Sequence, residues 1–118
     1  MPRISRKEIE DSYRKIGSIF SSIFGEDIAF TTDGLHHLLF RSNGKPRNKA
    51  DIQRRAWLLH KVVEILESNV AVSEYRLVKV GGHVLEYYTI QKQEIRIIIW
   101  RRGAGKLRFR SVMPVRHK

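Results

Sequence analysis

Apolar side chains recur at Ile9, Tyr13, Ile16, Phe20 and Ile23, a 4-3-4-3 spacing that draws one stripe along a helix. Ser5 and Glu8 bracket its start as a capping box, the Ser5 hydroxyl accepting from the Glu8 amide. Gly25 is a natural left-handed stop. Asp27 to Thr31 reads as a short strand or an extended link. Thr32 and Asp33 then cap a short second helix from Gly34 to Phe40. The stretch from Arg41 to Asn48, RSNGKPRN, is a loop carrying three cations. A long helix follows, about Ala50 to Glu67, with Ile52, Ala56, Leu59, Val63 and Leu66 on its buried stripe.

After Asn69 the helix formers give way to β-branched and aromatic residues. Gly81-Gly82 is a two-residue hairpin turn between strands Tyr75–Val80 and His83–Gln91. Lys92-Gln93 separates the second strand from Glu94–Arg102, and Gly103-Ala104-Gly105 leads into Lys106–Val115. The pattern predicts one α+β domain over residues 1–118, a helical part (1–68) followed by a sheet (73–115). Its N-terminal helices pack on one face of a four-stranded antiparallel meander. No internal repeat, low-complexity tract or linker interrupts it.

Pairing residues across these turns sorts the sheet into two faces. Arg76 is expected to face Tyr87, Tyr87 to face Ile98, and Ile98 to face Arg110. Thr89 falls opposite Arg96, and Trp100 opposite Arg108. The other face collects Tyr88, Ile90, Ile95, Ile97, Ile99, Leu107 and Phe109, the side for the helices to cover. One face is apolar, and the other interleaves Arg76, Arg96, Arg108 and Arg110 with Tyr87 and Trp100. A slip of one residue would exchange them.

Charge sharpens this picture. The 118 residues contain 23 Lys+Arg against 12 Asp+Glu, a formal net charge of +11. Residues 1–40 are net −1 and residues 41–118 net +12, so the whole excess lies in the second part. A neutral front and a basic back mark a binding face for a polyanion, with nucleic acid ahead of an anionic membrane. A hydrophobic content of 42% rules out general disorder. Cysteine is absent, which removes disulfides, thiol nucleophiles and Cys-based zinc sites. No apolar stretch approaches the ~20 residues of a membrane span, and MPRISRKEIE lacks a secretory apolar run. A cytoplasmic location, no membrane partner and no cofactor are therefore expected.

Metal-independent RNA cleavage needs a base for the 2′-hydroxyl, an acid for the leaving 5′-oxygen and cations for the phosphorane. His36 and His37, followed by Arg41, Lys45 and Arg47, supply those types. Adjacent helical residues point ~100° apart, so at most one histidine aims at substrate, and a two-His metal site is disfavoured. His60, near Trp57, reads as structural; His83 and His117 read as solvated. Ser111 shares the apolar side of the last strand with Leu107 and Phe109, either satisfied by backbone or bonding a phosphate from the strand end. Gly103-Ala104-Gly105-Lys106 lacks the spacing and following helix of a phosphate loop. Paired carboxylates suited to a two-metal nuclease are missing.

Three stretches, FTTDGLHHLLFR, ADIQRRAWLLHKVVEILESN and YRLVKVGGHVLEYYTIQKQEIRIIIWRR with KLRFRSVMP after it, carry a resemblance. Their order is similar to the small-RNase superfamily that groups barnase, EndoU, colicin-type and RelE-type toxins, particularly its phage-associated members. The likeness covers about residues 30–115. It implies metal-independent cleavage on the open sheet face, often by a toxin held by an acidic antitoxin or inhibitor. On that carry-over His36 or His37 is the general base or acid. Arg41, Arg76 and Arg96 hold the phosphate, and Ser111 hydrogen-bonds it. Apart from the resemblance, the basic loop and the aromatic-bearing sheet face make Lys45, Arg47, Tyr87, Trp100, Arg108 and Arg110 the expected contacts to the surrounding RNA. The general-base glutamate of barnase-like enzymes has no counterpart, since Glu86 falls on the apolar face. A non-catalytic RNA- or DNA-binding module uses the same face, and an adaptor would use it to grip an acidic protein. Arg54, Arg55 and Lys61 make a weak recognition helix, which favours RNA over DNA.

Overall fold

The computed structural model describes residues 5–41 and 43–115; His117 lies outside them. Three helices and six strands follow in the order α1 (Arg6–Ile16), β1 (Ser18–Ser21), β2 (Glu26–Ala29), α2 (Thr32–Leu39), α3 (Lys49–Glu67), β3 (Glu74–Val80), β4 (His83–Lys92), β5 (Ile95–Arg102) and β6 (Leu107–Pro114). The class is α+β, as expected, but the sheet is not a four-stranded meander. It has six strands in the order β1-β2-β6-β5-β4-β3. The β3-to-β6 meander is present, and the β1–β2 hairpin extends it, with β2 running parallel to β6 through Ile28–Leu107 and Ala29–Arg108.

The extra hairpin comes from residues whose spacing looks helical. The Glu8 amide donates to Ser5 as the capping box requires, 3.1 Å. The helix then stops at Gly17, whose φ of +63° is the left-handed conformation glycine adopts cheaply. Beyond it lie Ser, Ile and Phe, weaker helix formers than the Arg, Lys and Glu of α1. Ile19 packs against the core, whereas Phe20, expected on the buried stripe, is 59% exposed. Arg101 on β5 grips Glu26 of the hairpin with two hydrogen bonds, 3.2 and 3.3 Å.

All three helices bury their apolar residues against one face of the sheet. Ile9 and Tyr13 from α1, Leu35, Leu38 and Leu39 from α2, and Ala56, Leu59, Val62, Ile65 and Leu66 from α3 meet Ile90, Ile97, Ile99, Leu107, Phe109 and Val112. Each such fully buried Val, Leu, Ile or Phe side chain stabilises by roughly 1.5–3 kcal/mol. Phe30 and Phe109 stack at 4.9 Å, with Tyr13 set edge-on to Phe30 at 5.7 Å. Gly34 lets α2 lie directly on β6: a Cβ there would stand 2.7 Å from the Phe109 carbonyl oxygen.

Two register features decide which residues share a face. In β4–β5, Tyr87 pairs with Trp100 and Thr89 with Ile98, two residues from the expected partners Ile98 and Arg96. The turn sits at Gln93-Glu94, both at positive φ (53° and 62°), rather than at Lys92-Gln93. A slip of two preserves the faces, so the separation into apolar and arginine-bearing sides survives. In β5–β6 a bulge intervenes: Ile99 pairs with Phe109 but Ile98 with Ser111. Arg110 and Ser111 together therefore oppose Ile98, as a bulge requires. Ser111 thus leaves the apolar side where simple alternation puts it, and Val112 takes its place in the core.

Candidate functional site

Opposite the helices the sheet presents its uncovered face. Residues 74, 76, 87, 89, 96, 98, 100, 108 and 110 gather there because side chains alternate along strands, Arg110 lying two residues from Arg108 within the bulge. Tyr87 and Trp100 lie near parallel, ring centres 6.4 Å apart with planes 16° from alignment. The guanidinium of Arg76 stands 5.2 Å from the Tyr87 ring and that of Arg108 5.7 Å from the Trp100 ring. Arg110 serves both rings, 5.5 Å from Tyr87 and 5.4 Å from Trp100. Each such contact contributes about 0.5–1 kcal/mol at an exposed site. Contact with the rings restrains the long side chains and so lowers the entropy lost when an anion is gripped.

Among the described residues, Arg76, Arg96 and Arg108 form no ion pair; Arg96 touches Gln91, 3.5 Å away. Arg76, Arg96 and Arg110 line a cleft of about 310 Å³ with Tyr87, Thr89, Ile98 and Glu74. Glu74 was not singled out in the sequence because strand β3 was expected to start one residue later, at Tyr75. Its signal was its spacing, two residues from Arg76 and hence on the same face. Glu86 sits on the helix-side face, as expected, accepting from the Tyr75 and Tyr88 hydroxyls at 2.9 and 2.8 Å.

The two histidines part company. His36 is exposed and stacks on Phe40 at 4.6 Å, a ring that Arg6 also covers, and it does not line the arginine cleft. His37 is half-buried and turns toward β6, its Nε2 lying 3.7 Å from Asp33 Oδ1, while Asp33 Oδ2 is 3.7 Å from Arg110 Nη1. Burial first and then the positive charge of Arg110 hold the imidazole below its ordinary value, with Asp33 opposing them. The chain His37–Asp33–Arg110 thus joins α2 to the cleft. This placement exists because β2 ends at Ala29, so that α2 lies along β6.

The remaining candidates divide in the same way. Ser111 is opposite Ile98 but only 8% exposed. Lys45 is exposed on the loop, held by its amide donating to Asn43 Oδ1 at 3.0 Å. Arg41, expected to hold the phosphate with Arg76 and Arg96, does not line their cleft; it is exposed beside α3. Arg47, proposed from sequence as an RNA contact, works inside the protein. Its Nε donates to the His37 carbonyl at 3.0 Å and its Nη1 to Asp51 at 3.1 Å. Arg55 completes that clamp, bonding Asp51 at 3.1 Å and the Val112 carbonyl at 2.6 Å. Burial raises the Asp51 carboxyl, but Arg55 and Arg47 outweigh it and hold it below the usual carboxylate range. His60 packs near Trp57, and His83 contacts Arg102.

Among the described residues no three His, Asp or Glu side chains converge as a metal site, and no helix is long and apolar enough to cross a membrane. No family model, curated protein or solved structure matches the chain.

Proposed function

We propose that this protein binds single-stranded RNA across the open sheet face and cleaves it without a metal ion. The observation that carries the reading is one cleft in which Arg76, Arg96 and Arg110 surround Tyr87 and Glu74, with His37 tied to its rim through Asp33. Guanidinium groups match phosphate oxygens, and rings and guanidinium planes offer stacking surfaces to unpaired bases. Arginine-rich grooves of this kind bind by releasing counterions.

In the proposed reaction Glu74 removes the 2′-hydroxyl proton and the freed oxygen attacks the adjacent phosphorus. Arg76, Arg96 and Arg110 neutralise the charge that builds on the non-bridging oxygens. His37 gives its proton to the departing 5′-oxygen, leaving a 2′,3′-cyclic phosphate and a 5′-hydroxyl. His36 has no part in it. The likeness of the sequence pattern over residues 30–115 to toxin ribonucleases extends the proposal to a toxin-like ribonuclease whose basic face an acidic antitoxin or inhibitor would cover. Growth arrest on expression, relieved by such a partner, tests that extension.

Cleavage is tested with end-labelled RNA in EDTA. Loss of about 10²–10⁴-fold in rate is expected for Glu74→Gln and for His37→Ala, with His36→Ala near wild type. Because the His37 acid is held below its ordinary value, the rate should fall as pH rises through that lowered value. Tight RNA binding without cyclic-phosphate ends at any protein concentration would refute cleavage. It would leave the second reading, a non-catalytic binding module, which the four arginine–ring contacts support whether or not a bond breaks.

A further inference from the structure

A second and larger groove adjoins the cleft. It measures about 790 Å³ and runs between the 41–48 loop, the start of α3 and the end of β6. Five arginines line it, and the only carboxylate among its lining residues, Asp51, is already clamped by two of them. Arg41 and Arg54 are exposed and, among the described residues, form no ion pair. Arg96 lines both this groove and the cleft. The two depressions therefore meet at Arg96, toward the Ile95–Pro114 end of the β5–β6 pair.

We infer that this groove is a flanking subsite that takes the phosphodiester backbone of the same single strand beyond the cleft, with Arg41 and Arg54 as its phosphate contacts. The inference rests on the RNA-binding reading above. It adds a footprint longer than the cleft alone and a strand path leading from Arg96 toward α3. Arg47 and Arg55 shape the groove wall while held on Asp51, which leaves Arg41 and Arg54, beside the shared Arg96, without an ion pair among the described residues.

The test uses fluorescein-labelled 2′-O-methyl oligouridylates, which cannot be cleaved, of four and twelve nucleotides. Affinity is measured by anisotropy at 50 and 200 mM NaCl. Two phosphate contacts on a single strand change the salt slope by about 1.4. The Arg41→Ala/Arg54→Ala variant should therefore lose about sevenfold less affinity than wild type for the twelve-mer over that salt range. Its four-mer binding should be unchanged, and its thermal melt should match wild type because both side chains are exposed. An unaltered twelve-mer slope, with four-mer binding still dependent on Arg76, overturns the subsite and leaves the cleft reading standing. Binding of neither oligonucleotide overturns both. Capture of decaglutamate that is lost in the double variant, beside an unaltered twelve-mer slope, would assign the groove to an acidic protein instead.

Discussion

Replacing Gly34 by alanine sets helix propensity against packing, and the structure says which wins. Gly34 lies inside α2 with helical backbone, so propensity alone predicts a gain of about 1 kcal/mol. The added Cβ would, however, stand 2.7 Å from the Phe109 carbonyl oxygen and 2.8 Å from its ring, and closer still to the Tyr13 hydroxyl. None of these yields easily. Phe109 is fully buried and stacked on Phe30, and the Tyr13 hydroxyl donates to the Thr31 carbonyl at 2.7 Å. Overpacking of a rigid core costs about 1–3 kcal/mol and sometimes more; with backbone as the obstacle the upper end applies. The net loss is about 2 kcal/mol, which at ~2.1 cal/mol/K per residue of unfolding entropy lowers Tm by about 8 °C. Circular dichroism melts measure it. Tyr13→Phe in the same chain should be less costly than its effect in wild type suggests, a coupling of at least about 0.5 kcal/mol. A Tm for Gly34→Ala equal to or above wild type would refute the close approach of α2 to β6, and with it the placement of His37 and Asp33.

Other expectations follow from the same geometry. In an NMR titration, Arg110→Ala should raise the His37 pKa and Asp33→Asn should lower it, since those charges oppose each other there; no movement in either would break the His37–Asp33–Arg110 link. Because folding holds His37 below its ordinary 6.5, the unfolded chain binds the extra proton. Stability should therefore fall as pH drops from about 6.5 toward the lowered value, a dependence that His37→Gln should remove. Asp51→Asn leaves Arg47 and Arg55 without their shared carboxylate and should cost about 1–3 kcal/mol in urea unfolding, discounted for partial exposure. The depressed Asp51 pKa makes that contribution present above pH ~4 and lost below it; a variant as stable as wild type at pH 7 would contradict the clamp. Changing Gln93 to Gly should raise stability by about 1 kcal/mol, because that position has positive φ. A loss would show that the turn conformation is wrong.

Much of the architecture was legible along the chain because it is written in short-range pattern. The α3 helix, the Gly81-Gly82 turn and the alternation of Ile95, Ile97 and Ile99 each follow from local geometry, although Val62 and Ile65 rather than Ile52 and Val63 join Ala56, Leu59 and Leu66 on the buried face of α3. Local pattern also placed Arg76, Arg96, Arg108, Tyr87 and Trp100 on one face, even through a two-residue error of register. That error arose because the β4–β5 turn contains neither Gly nor Asn to announce its positive φ values.

Three features depended on contacts between residues far apart in sequence. The short strand readable at Asp27–Thr31 became β2 because β6 offered an edge to pair with, but the Ile16, Phe20, Ile23 spacing carries no trace of its hairpin partner β1. The β6 bulge moved Ser111 to the other face, a backbone irregularity that alternation does not encode. Glu74 and His37 came to flank the arginine face through strand pairing and through the packing of Gly34 on Phe109. The sequence by itself determined that the basic charge would collect on one side of a sheet, since period-two alternation is local. Which acid and which histidine stand beside that charge was decided only by tertiary packing, where a missing Cβ sets how close a helix lies.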